Sequence, residues 1–125
     1  MASGIRESAK RYKRLNGKYL KDAESLLAKH DYVQASEKLW GAAAQSVKSL
    51  AAKRGVQLLT HTSIFQFVTK LHKEHPGLGL AEDFHIASSL HTNFYEDWLT
   101  PEMVRVGADR VKAFVEKISK LEKAV

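Results

Sequence analysis

Three groups of side chains in this chain have the types and spacing to do chemistry. His91 has Ser88 three residues before it and Tyr95 four after, which sets all three on one side of a helix. An imidazole, a hydroxyl and a phenol so placed can meet a ligand in a partly open pocket. They can equally hydrogen-bond one another as a buried polar seam that fixes how the helix packs. Arg54 and His61 form the second group. An arginine can stabilise the developing charge of a phosphate and a histidine can move a proton. The bland alternative is that Arg54 binds the last carbonyls of its own helix while His61 caps or packs. The third group is a stripe of cations: Arg6, Lys10, Arg11, Lys13, Arg14, Lys18 and Lys21. Seven positive charges with little acid among them can track a phosphate backbone. Gly17, inside the stripe, would let a phosphate approach the helix closely. A solvated helix face is the other reading.

Other chemistries have less support. His72 and His75 make an H-x-x-H pattern, but no carboxylate stands at a ligand spacing, so no metal site is expected. The chain has no G-x-S-x-G, P-loop or dinucleotide fingerprint, and no cofactor is expected. It has no cysteine, which excludes a disulfide framework, a thiolate metal site and a thiol nucleophile. A reducing, cytoplasmic setting is the default for such a chain. No apolar run is long enough to cross a membrane, and the basic N-terminal residues are not followed by the apolar segment of a signal peptide. Twenty Lys and Arg against fourteen Asp and Glu give a formal charge of +6. That balance favours an anionic partner such as RNA, a nucleotide or an acidic protein, or serves solubility alone in a pure protein-interaction module.

The elements that must position these groups are all helical. At 125 residues the chain is one domain, 1–125, able to bury its own core. Its two prolines, Pro76 and Pro101, interrupt no periodic segment, and no stretch shows sustained strand alternation. The expected fold is all-α, an antiparallel bundle of about five helices. The first helix should span Gly4 to Lys29, with Ile5, Tyr12, Leu15, Tyr19 and Leu26 on one arc and the cationic stripe on the other. Asp31 should cap a second helix running to Arg54 and stopping at Gly55. Its wide apolar arc, with small residues that allow close approach, marks it as the central helix. A third should open with the capping-box pattern Ser63-Ile64-Phe65-Gln66. A fourth, Leu80 to Trp98, should turn Leu80, Phe84, Ala87, Leu90, Phe94 and Trp98 inward. Thr100-Pro101-Glu102 starts a fifth that carries Met103, Val104, Val111, Phe114 and Ile118 inward. Short joints predict antiparallel neighbours.

The segment QASEKLWGAAAQSVKSLAAKRGVQLLTHTSIFQFVTKL resembles the central helical pair of HEPN-type domains. The matching residues are Ala35, Glu37, Lys38, Lys48, Gly55, Thr60 and His61. The later LHTNFYEDWL resembles the fourth helix of a small archaeal group within that superfamily, PaREP. The resemblance covers roughly Leu15 to Ile118. It implies a helical bundle, usually a homodimer, acting on RNA or nucleotides. Some such domains are metal-independent ribonucleases, including those of toxin systems; others are noncatalytic partners or substrate-binding domains of nucleotidyltransferases. Arg54 and His61 have the spacing of the ribonuclease pair. Gly55 stands where a polar residue usually follows the arginine, and no arginine stands at the required distance from His91. The expectation is therefore a noncatalytic binding domain for RNA, nucleotide or a partner protein, with the endoribonuclease as the alternative.

Overall fold

The computed structural model describes residues 2–125, with side chains from Gly4 onward. Five helices carry nearly all of it: α1 Ala2–Ala28, α2 Tyr32–Lys53, α3 His61–Glu74, α4 Leu80–Glu96 and α5 Pro101–Lys123, with a short 3-10 turn at Pro76–Leu78. Among the described residues there is no strand. The fold is all-α, a helical bundle.

Local chemistry sets the joints. The Asp31 carboxylate accepts from Gln34 N at 3.2 Å and opens α2. Arg54 closes that helix, and Gly55 follows at φ 77°, a left-handed conformation that a side chain would strain. Thr60 opens α3: its hydroxyl accepts from Ser63 N at 3.0 Å while Ser63 Oγ accepts from Thr60 N at 3.1 Å. The reciprocal box thus sits one turn earlier than Ser63–Gln66, and α3 gains a turn that includes His61. Thr100 caps α5 with Pro101 in its first turn.

Helix α2 is the centre. Its residues Ala35, Leu39, Ala42, Ala43, Val47, Leu50 and Ala51 are fully buried, and every other helix packs against it or against a helix that does. The Asn16 amide donates to Ala42 O at 2.6 Å and the Ser49 hydroxyl reaches Ala9 O at 3.2 Å, so α1 and α2 run antiparallel. Ser36 meets Asn93 and Trp40 meets Phe84, so α2 and α4 do the same. Helix α5 differs. Arg105 reaches Tyr32 and Glu122 reaches Ser49, both pairs 73 residues apart, so α5 lies parallel to α2. It reaches that position by packing antiparallel to α4.

The largest buried side chains include Phe84, Phe114, Leu39, Leu50, Leu71, Leu80, Leu90 and Ile118. Three residues expected inward are not in this core. Phe94 is only half-buried, Trp98 is 65% exposed and Met103 is 56% exposed. Met103 lies at the edge of the buried arc of α5, which runs through Val104, Val111 and Ile118. For Phe94 and Trp98 the cause is Asn93, which periodicity alone treats as a surface residue. Its side chain is buried, donates to Ser36 Oγ at 3.0 Å, and accepts from Trp98 N at 2.9 Å and Leu99 N at 2.8 Å. This stitch ends α4 at Glu96, puts Asp97 at φ 50° and swings Trp98 out of the helix.

Candidate functional site

A cleft of about 260 Å³ opens between α1 and the first turns of α3, with α2 as its floor. Tyr19 comes from α1; Glu37, Lys38, Trp40, Gly41, Ala44, Gln45 and Lys48 from α2; His61 and Ile64 from α3. Small residues on α2 make it possible. A Cβ on Gly41 would stand 3.0 Å from the Tyr19 ring, so glycine lets that ring lie flat against the helix at the cleft wall.

One end of the cleft is an aromatic and imidazole cluster. His91, from α4, stacks on Trp40 with ring centroids 5.0 Å apart. His61 meets the same Trp40 edge-on at 5.7 Å and meets His91 at 5.4 Å. The His91 Nδ1 lies 3.1 Å from Glu37 Oε1, a hydrogen bond that fixes the ring's orientation. Trp40 is 5% exposed, so it acts as a rigid base for both imidazoles rather than as a free stacking platform.

The other end is cationic. Lys38 Nζ lies 5.0 Å from the Tyr19 ring centroid and 3.8 Å from Asp22. Asp22 also takes a 2.9 Å bond from Lys18, and that hydrogen bond holds its carboxyl below the usual carboxylate range. Lys48 forms no ion pair among the described residues and sits 6.0 Å from the Tyr12 ring, which Arg11 also covers. The Gln45 Oε1 is buried without a hydrogen-bond partner. An acceptor in that state is ordinarily met by water or a ligand donor.

The residues singled out by sequence are distributed as follows. His61 and His91 come together. Tyr95 touches the His91 ring edge-on at 5.5 Å but is 70% exposed. Ser88 is half-buried, and its carbonyl accepts from the Thr92 hydroxyl at 3.4 Å. The buried polar link between α4 and α2 runs through Asn93 and Ser36, beside the His91–Glu37 bond. Arg54 stands apart from His61. Its Nη1 donates to Glu74 Oε1 at 3.1 Å and its guanidinium covers Phe67. Glu74 is the last residue of α3 and His61 the first, so the two ends are separated by about 20 Å of helix.

The seven cations of α1 are all exposed on one broad arc of the helix, and the two edges of that arc have different neighbours. Arg11 and Lys18 border the cleft side, next to Tyr12 and Asp22. Arg6 packs against Gly55, and Lys13 lines a small hollow with Asn16, Ser49, Val115 and Glu122. Among the described residues no three His, Asp or Glu side chains are placed to hold a metal ion, His72 and His75 included, and no helix is long and apolar enough to cross a membrane.

Periodicity does not mark Lys38, Gln45, Lys48 or Tyr19 as cleft residues, and it sets Tyr19 on the apolar arc of α1. A signal was present: Lys38, Gly41, Gln45 and Lys48 recur at helical spacing and share one arc of α2 among small residues. Polar groups on an otherwise small-residue arc mark a helix face that a neighbour does not fully cover.

No curated protein matches the chain. In fold it is similar to the crystal structure of a Sulfolobus solfataricus protein, with a TM-score of 0.76 and 23% identity over 85% of this chain and 94% of that one. The family model of the archaeal PaREP1/PaREP8 family matches residues 11–115, a span that holds every residue lining the cleft, from Tyr19 to Ile64, and His91 behind it, and the chain belongs to that family.

Proposed function

We propose that this protein is a noncatalytic, HEPN-like binding domain that takes a nucleotide phosphate, free or within RNA, in the cleft between α1, α2 and α3. The observation that carries the reading is the cleft's asymmetry. Lys38, Lys48 and His61 border it, while Glu37, the carboxylate in its lining, is already engaged by His91. Lys48 has no ion-pair partner among the described residues and Lys38 has only Asp22 at 3.8 Å, so both remain able to attract phosphate. The unpartnered Gln45 oxygen suits a donor such as the amino group of a base. Arg11 and Lys18 extend positive charge along α1 from the cleft rim. Homodimerisation is part of the proposal and is supported by the resemblance to HEPN domains.

Fluorescence anisotropy with a labelled short RNA and with mononucleotides tests it. Affinity should fall steeply with salt. Lys38→Glu with Lys48→Glu should weaken binding about tenfold or more and flatten the salt dependence. Unchanged affinity would remove the cleft; no binding of either probe at low salt would remove the reading. Arg14→Glu with Lys18→Glu measures the α1 contribution separately, and sedimentation measures the dimer.

One observation favours a second reading, a metal-independent endoribonuclease. Two imidazoles in contact, one oriented by a carboxylate, at one end of a cleft that Lys38 and Lys48 also line, can divide acid and base roles. One would take the 2′-hydroxyl proton as that oxygen attacks phosphorus; the other would protonate the leaving 5′-oxygen. The lysines would hold the phosphate, and Arg54, bonded to Glu74 at the far end of α3, would have no part. RNA ends carrying 2′,3′-cyclic phosphate, lost in His61→Ala or His91→Ala at unchanged melting temperature, would put this reading first.

A further inference from the structure

Met103 and Val106 are each 56% exposed, and with Ile86 and Leu99 they wall an apolar hollow of about 350 Å³ between α4 and α5. Contiguous exposure of this kind marks an interaction surface more often than scattered single residues do. The polar lining residue is Ser89, and its hydroxyl is already given to Ile86 O at 2.7 Å. The hollow therefore lacks the convergent polar groups that orient a small molecule.

Its border is acidic. At 100° per residue, Glu82 and Glu96 fall on the same side of α4 as Ile86 and Ser89, and Glu102 lies beside Met103 and Val106 on α5. All three acids are exposed, as is Asp97 at the elbow. The nearby cations are occupied. Arg110 gives both its contacts to Asp83, and Arg105 turns to Tyr32. An acidic border on a chain of net charge +6 is a local feature, not an average of the surface. The elbow is also rigid, because Asn93 holds the amides of Trp98 and Leu99. Trp98 is thereby presented beside the hollow at 65% exposure.

We propose that this α4–α5 face docks a basic amphipathic helix of another protein. Apolar side chains one turn apart would enter the hollow, and flanking Lys or Arg would meet Glu82, Glu96 and Glu102. Charge argues against a second copy on the same face. A two-fold contact would set each acidic border against its own image, and like charges across an interface are unfavourable. The α1 cations of a second copy do not fit either, since the apolar arc of that helix is turned into its own core. Preorganised anchors and a fixed elbow lower the ordering cost of docking.

The test is selection of a displayed library of short helical peptides on the whole protein, counter-selected on the Met103→Glu, Val106→Glu variant. Both side chains are exposed, so the variant should keep its melting temperature. Recovered peptides should be amphipathic and rich in Lys and Arg. Their affinity should fall about tenfold or more with Met103→Glu and with Glu82→Lys plus Glu102→Lys, and should weaken with salt. The proposal is overturned if no peptide depends on Met103 and Val106, or if dependent peptides carry no net positive charge. It is also overturned if the protein sediments as a dimer that Met103→Glu dissociates, since a second copy would then own the face. RNA affinity in the Met103→Glu variant should be unchanged whichever way the cleft reading falls.

Discussion

Asp83, at the start of α4, and Glu37, near the start of α2, both meet groups from another helix, but their surroundings differ. Asp83 is completely buried. One oxygen accepts from Arg110 at 3.0 and 2.8 Å, and the other accepts from Lys117 at 2.7 Å. Lys117 also donates to Leu78 O, so the same cluster pins the 3-10 turn to α5. Glu37 is 29% exposed, uses one oxygen for His91, and stands in a cleft where Lys48 meets no carboxylate among the described residues and Lys38 meets Asp22 at 3.8 Å. A buried charge must be compensated within the chain, and the Asp83 cluster does this fully. A half-exposed charge need not be, so the Glu37 cleft can leave cations and an amide oxygen for something else. The comparison separates structural charge from available charge in one small bundle.

The largest effect should come from breaking the saturated cluster. Asp83→Ala removes the shared partner of two cations and should lower stability by about 3 kcal/mol, read from urea unfolding. A loss near zero with unchanged slope would show that Asp83 is as dispensable as a surface acid. Asn93→Ala should come next, at about 2 kcal/mol, because it strips partners from Ser36 and from two elbow amides. The same variant should raise hydrogen exchange at Trp98 and Leu99; slow exchange there would show that something else holds the elbow.

The cleft should behave in the opposite way. Lys38→Ala with Lys48→Ala should leave stability within about 0.5 kcal/mol, as for other surface changes, while RNA affinity falls about tenfold, which is roughly 1.4 kcal/mol. A large stability loss in that pair would place the lysines with the structural charges and erase the contrast. The smallest effect belongs to Asp22. The Lys18 hydrogen bond lowers its folded pKa, so its contribution is present above the unfolded carboxylate value and is lost as pH falls through the folded one. The stability difference between wild type and Asp22→Asn should therefore shrink in acid. A difference that stays constant with pH would show that Asp22 gains nothing from Lys18.

Much of this was readable from residues alone where the cause is local. Asp31, Gly55 and Thr100-Pro101 mark helix ends because capping and φ preferences act within a few residues. The errors are equally instructive. Ser63 looked like a cap, but it is the far half of a box opened by Thr60. The helical period carried through Asn93 points Phe94 and Trp98 inward, but the Asn93 side chain bonds to Ser36, 57 residues away. A tertiary hydrogen bond of that length leaves no trace in a local pattern.

Period, propensity and capping act over a few residues, and they account for five helices, their approximate ends, a small-residue central helix and a cationic first helix. Long-range packing is what lays α5 parallel to α2, draws Arg54 to Glu74 and brings His61 to His91 over Trp40. Those outcomes depend on which helix faces pack together. Packing is set by the shapes and volumes of side chains far apart in the chain, and a helical period carries no information about it.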